Sequence, residues 1–94
     1  MKVVYSRRAI SDLETIAGYY RTVSDPAIAE AVERRLHRVI ERISAAPKSA
    51  PRVAQRPSVR VVPVIRYPYK IFYRVNNEIL EILHIRHTSR EMWK

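Results

Sequence analysis

The sequence predicts an α+β fold, a small antiparallel sheet with a helical hairpin packed on one face. Three observations predict it. Apolar residues recur every three or four positions through the first half of the chain, the period of a helix with one buried side. From Val59 onward, β-branched and aromatic residues alternate with polar ones, the period of a strand. Between these halves lie Pro47, Pro51 and Pro57, through which no helix runs. A chain of 94 residues supports one hydrophobic core, so residues 1–94 are expected to form a single domain.

Lys2 to Tyr5 is the expected N-terminal strand. Ser6 follows as a helix N-cap, although the position three residues on is Ala9 and not the glutamate of a full capping box. A first helix starts near Arg7, with Ala9, Leu13, Ile16, Ala17 and Tyr20 on one face and Asp12, Glu14 and Arg21 off it. Ser24-Asp25-Pro26 starts a second, antiparallel helix, because proline is pre-set for the first helical turn. Its stripe is Ile28, Val32, Leu36, Val39, Ile40 and Ile43, and it ends near Ala46.

A basic loop carrying Lys48, Arg52 and Arg56 leads to a three-stranded meander with strands over 59–66, 69–75 and 78–85. Asn76-Asn77 suits a two-residue hairpin turn, since Asn tolerates the left-handed conformation such turns need. That turn sets Tyr73 opposite Leu80, Ile71 opposite Ile82 and Tyr69 opposite His84. The covered face is then Tyr69, Ile71, Tyr73, Leu80 and Ile82. A second two-residue turn at Tyr67-Pro68 adds Val62 and Val64, with Arg66 at the end. The reverse face carries Lys70, Phe72, Arg74, Ile79, Glu81, Leu83 and, one step past the strand, His87, and is expected to be mixed and open.

Eighteen Lys and Arg stand against nine Asp and Glu, a net charge of +9, and Arg supplies 14 of the 18. The planar guanidinium suits carboxylates, phosphates and base edges, which points to an anionic partner. Signs are mixed through the helices, and the excess lies in the loop and the C-terminal half. With no cysteine, a disulfide framework, a thiolate nucleophile and a Cys-based zinc site are excluded. The longest apolar runs fall far short of a membrane span, and the N-terminus leads directly into a strand, so a cytoplasmic protein with no membrane partner is expected.

Few residues offer chemistry. His87 and Lys70 share a face in the expected register, and with an arginine they supply the proton acceptor, proton donor and phosphate-binding cation that RNA cleavage through the 2′-hydroxyl requires. The competing reading is a solvated basic tip. His84 is expected to be a hydrogen-bonded packing residue and His37 a surface one. The three histidines lack metal-ligand spacing, and the single glycine, Gly18, lies inside the first helix, so neither a metal nor a cofactor is expected. Tyr5, Tyr67, Tyr69 and Tyr73 interleave with Arg60, Arg66, Lys70 and Arg74 as in nucleic-acid binders, but aromatics at alternating strand positions are first of all core.

The meander Val59-Arg60 … Tyr67-Pro68-Tyr69-Lys70-Ile71-Phe72-Tyr73-Arg74-Val75 … Ile82-Leu83-His84-Ile85-Arg86-His87 resembles the RelE/ParE superfamily of bacterial type II toxins over nearly the whole chain. Tyr5-Ser6-Arg7-Arg8-Ala9 with Asp12-Leu13 and Ile16 is similar to the start of ParE-type members, the plasmid stabilisation toxins. The resemblance implies a growth-inhibiting toxin neutralised by an acidic, ParD-like antitoxin in a heteromeric complex such as a heterotetramer. ParE-type members poison DNA gyrase, whereas RelE-type members cut mRNA in the ribosome. Lys70 falls where the nucleases usually have an arginine, His87 where some have a catalytic histidine, and Arg90 near a phosphate-binding arginine. The C-terminal tyrosine of many RelE-type sites is missing, Trp93 being the nearby aromatic, and isolated Lys48, Arg52 and Arg56 replace a tight lysine pair.

The ParE-type reading therefore leads, with a metal-independent mRNA interferase as the alternative and a non-toxic binding module as the second. Arg52, Arg56, Arg60, Arg66, Arg74, Arg86, Tyr20 and Leu36 are the candidates for contact with the antitoxin or the target. An acidic segment folding on this basic surface is expected to associate fast, with an on-rate that falls as salt is added.

Overall fold

A computed structural model describes residues 1–88. Strand β1 (Lys2–Tyr5) leads into helix α1 (Arg7–Val23) and helix α2 (Pro26–Ala45). Strands β2 (Arg52–Val53), β3 (Arg56–Pro63), β4 (Tyr69–Asn76) and β5 (Ile79–His87) follow. They form one sheet in the order β1-β5-β4-β3-β2. The C-terminal strands are antiparallel as the hairpins demand, while β1 joins β5 in parallel, so the sheet is mixed.

Both helix starts form where the caps are. Ser6 Oγ accepts the Ala9 N–H at 3.0 Å, and Asp25 Oδ1 accepts the Ala27 N–H at 2.8 Å with Pro26 next in line. The stripes lie inward with one exchange. Ile28 is 42% exposed and Ala29 takes its place, because 29, 32, 36, 39–40 and 43 keep the helical period. The segment after α2 is pinned from the sheet: Tyr73 donates its hydroxyl to the Pro47 carbonyl at 2.6 Å, and Arg60 Nη1 donates to the Lys48 and Ala50 carbonyls at 3.1 and 2.7 Å.

The covered face is the one expected. Ile71, Tyr73, Leu80 and Ile82 are fully buried against Val32, Leu36, Val39, Ile40 and Ile43 of α2, and Tyr69, Val62 and Val64 belong to the same cluster. Its pairings differ. The hairpin turn is Asn77-Glu78, with Asn77 at φ 57°, so Tyr73 faces Ile82 and not Leu80. Sliding by two residues preserves the face, since side chains alternate with period two. The β3–β4 connection likewise spans 64–68, with Arg66 at φ 80° out in the loop and not at the end of the covered face. The reverse face is not fully open. Val53 of β2, a strand the loop reading missed, packs with Val59 and Phe72 there, alongside Val61 and Leu83.

One irregularity changes the site. Between Phe72 and Tyr73 the β4–β5 register shifts: Tyr73 pairs with Ile82, Phe72 with His84, and Leu83 is the extra residue of a β-bulge. The bulge sits where β1 ends. Ser6 N–H donates to the Ile82 carbonyl at 2.9 Å, and Ser6 Oγ donates to the Leu83 carbonyl at 2.7 Å.

Candidate functional site

Beyond Tyr5 no strand among the described residues continues alongside β5, and a carboxylate from α1 occupies the edge instead. Asp12 Oδ2 accepts the Ile85 N–H at 2.9 Å and His84 Nδ1–H at 2.6 Å. His84 Nε2 in turn meets Arg8 Nη2 at 3.5 Å, and Arg8 Nε lies 3.6 Å from Asp12 Oδ1. Arg8 and Asp12 are four residues apart on α1 and therefore neighbours on its surface. The His84 side chain is 7% exposed, and its ring stacks on Phe72 with centroids 5.9 Å apart. Phe72 lies on the reverse face, so the bulge has carried His84 off the covered face where the simple hairpin had set it. The packing role expected of His84 is what the geometry supports.

Burial pushes the His84 pKa below its usual 6.5, against the opposing pull of Asp12. The neutral ring keeps its proton on Nδ1 and accepts from Arg8 at Nε2. A base with a depressed folded-state pKa takes up its proton more readily when unfolded. Stability is thus fully present above about pH 6.5 and is lost as pH falls from there toward the folded-state value. Urea melts across this range are expected to show that loss, reduced in His84→Gln, and an equal loss in both proteins would refute the assignment.

The bulge also separates the residues expected to act together. Lys70 pairs with Arg86 on the reverse face, whereas His87 pairs with Tyr69, its ring 5.6 Å from the tyrosine ring. The shared Lys70–His87 site of the unbulged register is therefore not formed. Arg90 lies outside the described residues. Arg74 is held by Glu81 at 2.8 Å on the reverse face. Arg52, Arg56 and Arg66 are exposed on the β2–β3 hairpin and the β3–β4 loop, and Arg60 is committed to the loop carbonyls. Arg52 stands opposite Arg60 across the β2–β3 pair, while Arg66 lies in the β3–β4 loop.

The described residues include a groove and a cleft. A groove of about 420 Å³ runs between the helices, lined by Leu13, Ala17, Ala29, Val32 and Leu36, with Arg21 and Glu33 paired across it at 3.5 Å. The small Ala17 and Ala29 leave it open. A cleft of about 640 Å³ separates α1 from the end of β5, with Arg8, Thr15, Tyr19 and Tyr20 on one side and Tyr69, Arg86 and His87 on the other. Burial and a hydrogen bond with Tyr20 push the Tyr69 phenol pKa well up, so it stays protonated. The Asp12–His84–Arg8 chain was not foreseen as a unit, and the one signal for it was an acidic residue at the flank of the first helix stripe. No group of three or more metal-ligating side chains occurs among the described residues, and no helix there is long and apolar enough to cross a membrane.

A family model described as ParE toxin of type II toxin-antitoxin system, parDE, matches residues 3–92. A chain of the chromosomal ParDE toxin-antitoxin system from P. aeruginosa is 25% identical, with a TM-score of 0.80 over 93% of this chain and 95% of that one. The YoeB/ParE toxin from Agrobacterium tumefaciens is 17% identical at a TM-score of 0.65, covering 93% and 98% of the two chains. A chain of the intact E. coli RelBE toxin-antitoxin complex is 13% identical at 0.62, covering 95% and 98%. At these two identities the likeness is one of fold. No curated protein sequence matches the chain significantly.

Proposed function

Since the chain belongs to the ParE toxin family of type II toxin-antitoxin systems, we propose that it inhibits growth by poisoning DNA gyrase and is neutralised by direct binding of an acidic, ParD-like antitoxin. The observation that carries the reading is the family match over residues 3–92, with the 0.80 TM-score to a ParDE toxin-antitoxin chain beside it. The alternative, an mRNA interferase, needs an acid, a base and a phosphate-binding cation together. The separation of Lys70 from His87 by the Leu83 bulge speaks against it.

The antitoxin contact combines two features of this surface. The groove between α1 and α2 offers the half-buried Leu13 to an apolar anchor of an incoming segment, whereas Leu36, expected as a contact, is buried with Val32 at its floor, and Tyr20 lines the cleft between α1 and β5 instead. Exposed arginines, Arg52, Arg56 and Arg66 among them, meet its carboxylates. The toxin acts in the cytoplasm, where its target and antitoxin reside.

Induction in cells lacking the antitoxin tests this, with DNA breaks and mRNA integrity followed side by side. Growth arrest with broken DNA and intact mRNA is expected. Cleaved mRNA with intact DNA would establish the interferase instead, and unaffected growth would leave only a binding module.

A further inference from the structure

Arg8, Asp12, Thr15 and Tyr19 recur at spacings of three and four and so run along one side of α1, where they line the cleft facing the end of β5. We propose that this cleft binds a nucleoside triphosphate, its base stacked on Tyr19 and its phosphates on Arg8. The inference stands apart from the gyrase reading and does not depend on it.

A cleft of about 640 Å³ lies within the size range of small-molecule sites, about 300–1,000 Å³. Tyr19 is 57% exposed yet braced: its ring meets that of Tyr20 at 5.2 Å and 89°, and Tyr20 meets Tyr67 at 6.4 Å. An exposed ring held at a fixed angle is a stacking platform that any base can use. Arg8 has the same combination, its side chain 66% exposed while Asp12 at 3.6 Å and His84 at 3.5 Å orient the guanidinium. Little freedom is left to lose when a phosphate binds its fork.

Asp12 keeps its negative charge beside Arg8, its Oδ2 accepting from neutral donors, but Arg8 and Arg86 together outnumber it in the cleft walls. Thr15 lies between the two ends, where a hydroxyl suits a sugar. The span selects the ligand. Arg8 and Tyr19 are eleven helical steps apart, which places their Cα atoms about 16 Å apart at about 1.5 Å per residue, a gap that a whole nucleoside triphosphate, met by both side chains, spans from base to terminal phosphate and a nucleoside monophosphate does not.

Titration of the isotope-labelled protein with ATP, AMP and inorganic triphosphate, read by amide NMR, tests the proposal. ATP is expected to bind more tightly than either of the others and to shift Arg8, Thr15, Tyr19 and Ile85. Tyr19→Ala, at an exposed position, is expected to weaken ATP by about fivefold or more while Tyr19→Phe keeps it. Inorganic triphosphate binding as well as ATP, an unchanged affinity in Tyr19→Ala, shifts centred on Arg52 and Arg56, or no binding at millimolar ATP would each overturn it.

Discussion

Asp12→Ala is expected to lose about 3 to 5 kcal/mol of stability, a large share of the roughly 5 to 15 kcal/mol available to a domain of this size. The carboxylate is the acceptor of two buried donors, the Ile85 N–H and His84 Nδ1–H, and an unsatisfied buried donor costs about 1–3 kcal/mol. Arg8 also loses the group that orients it. Asp12→Asn retains an acceptor oxygen and should fall between the two. Because removing both members of a buried pair costs less than removing one, adding His84→Phe beside Phe72 should recover part of the loss. Urea denaturation of the two single variants and the double measures the coupling directly. A loss under about 1 kcal/mol in Asp12→Ala would show that water satisfies these donors and that the carboxylate does not hold the edge.

The other large effect is at Val39. It is 4% exposed in the main cluster beneath the sheet, with no cation within that cluster to pair a carboxylate. Val39→Asp therefore combines lost apolar burial with an uncompensated buried charge, each worth several kcal/mol, and is expected to abolish cooperative folding. A thermal melt monitored by circular dichroism should show no transition. A cooperative melt at the wild-type temperature would refute the burial of this stripe.

What was legible in the sequence is what local chemistry decides. Ser6 and Asp25-Pro26 announce their helices because a cap needs only a few neighbouring residues, and the helix stripes because 3.6 residues per turn is a property of the backbone. The covered sheet face was legible through its parity alone, and it survived although both hairpin pairings slid by two residues. The bulge at Leu83 was not. It depends on Ser6 and Asp12, more than 70 positions away, taking a carbonyl and an N–H of β5, and no window of neighbouring residues contains that fact. Every expectation about His84 and His87 placement hung on it. The β2 strand was hidden for a different reason, two residues between Pro51 and Pro57 being too few to show a period.

The parallel pairing of β1 with β5 has a consequence in time. Ser6 and Leu83 are 77 residues apart, so the edge of the sheet that receives the first strand does not exist until the last strand has been synthesised. Until then α1 and α2 carry their apolar stripes with only an incomplete sheet to bury them. Joining such distant segments makes folding slow relative to a helical bundle, since loop closure comes before the contacts that reward it. During that interval the nascent chain exposes apolar surfaces that the finished molecule hides.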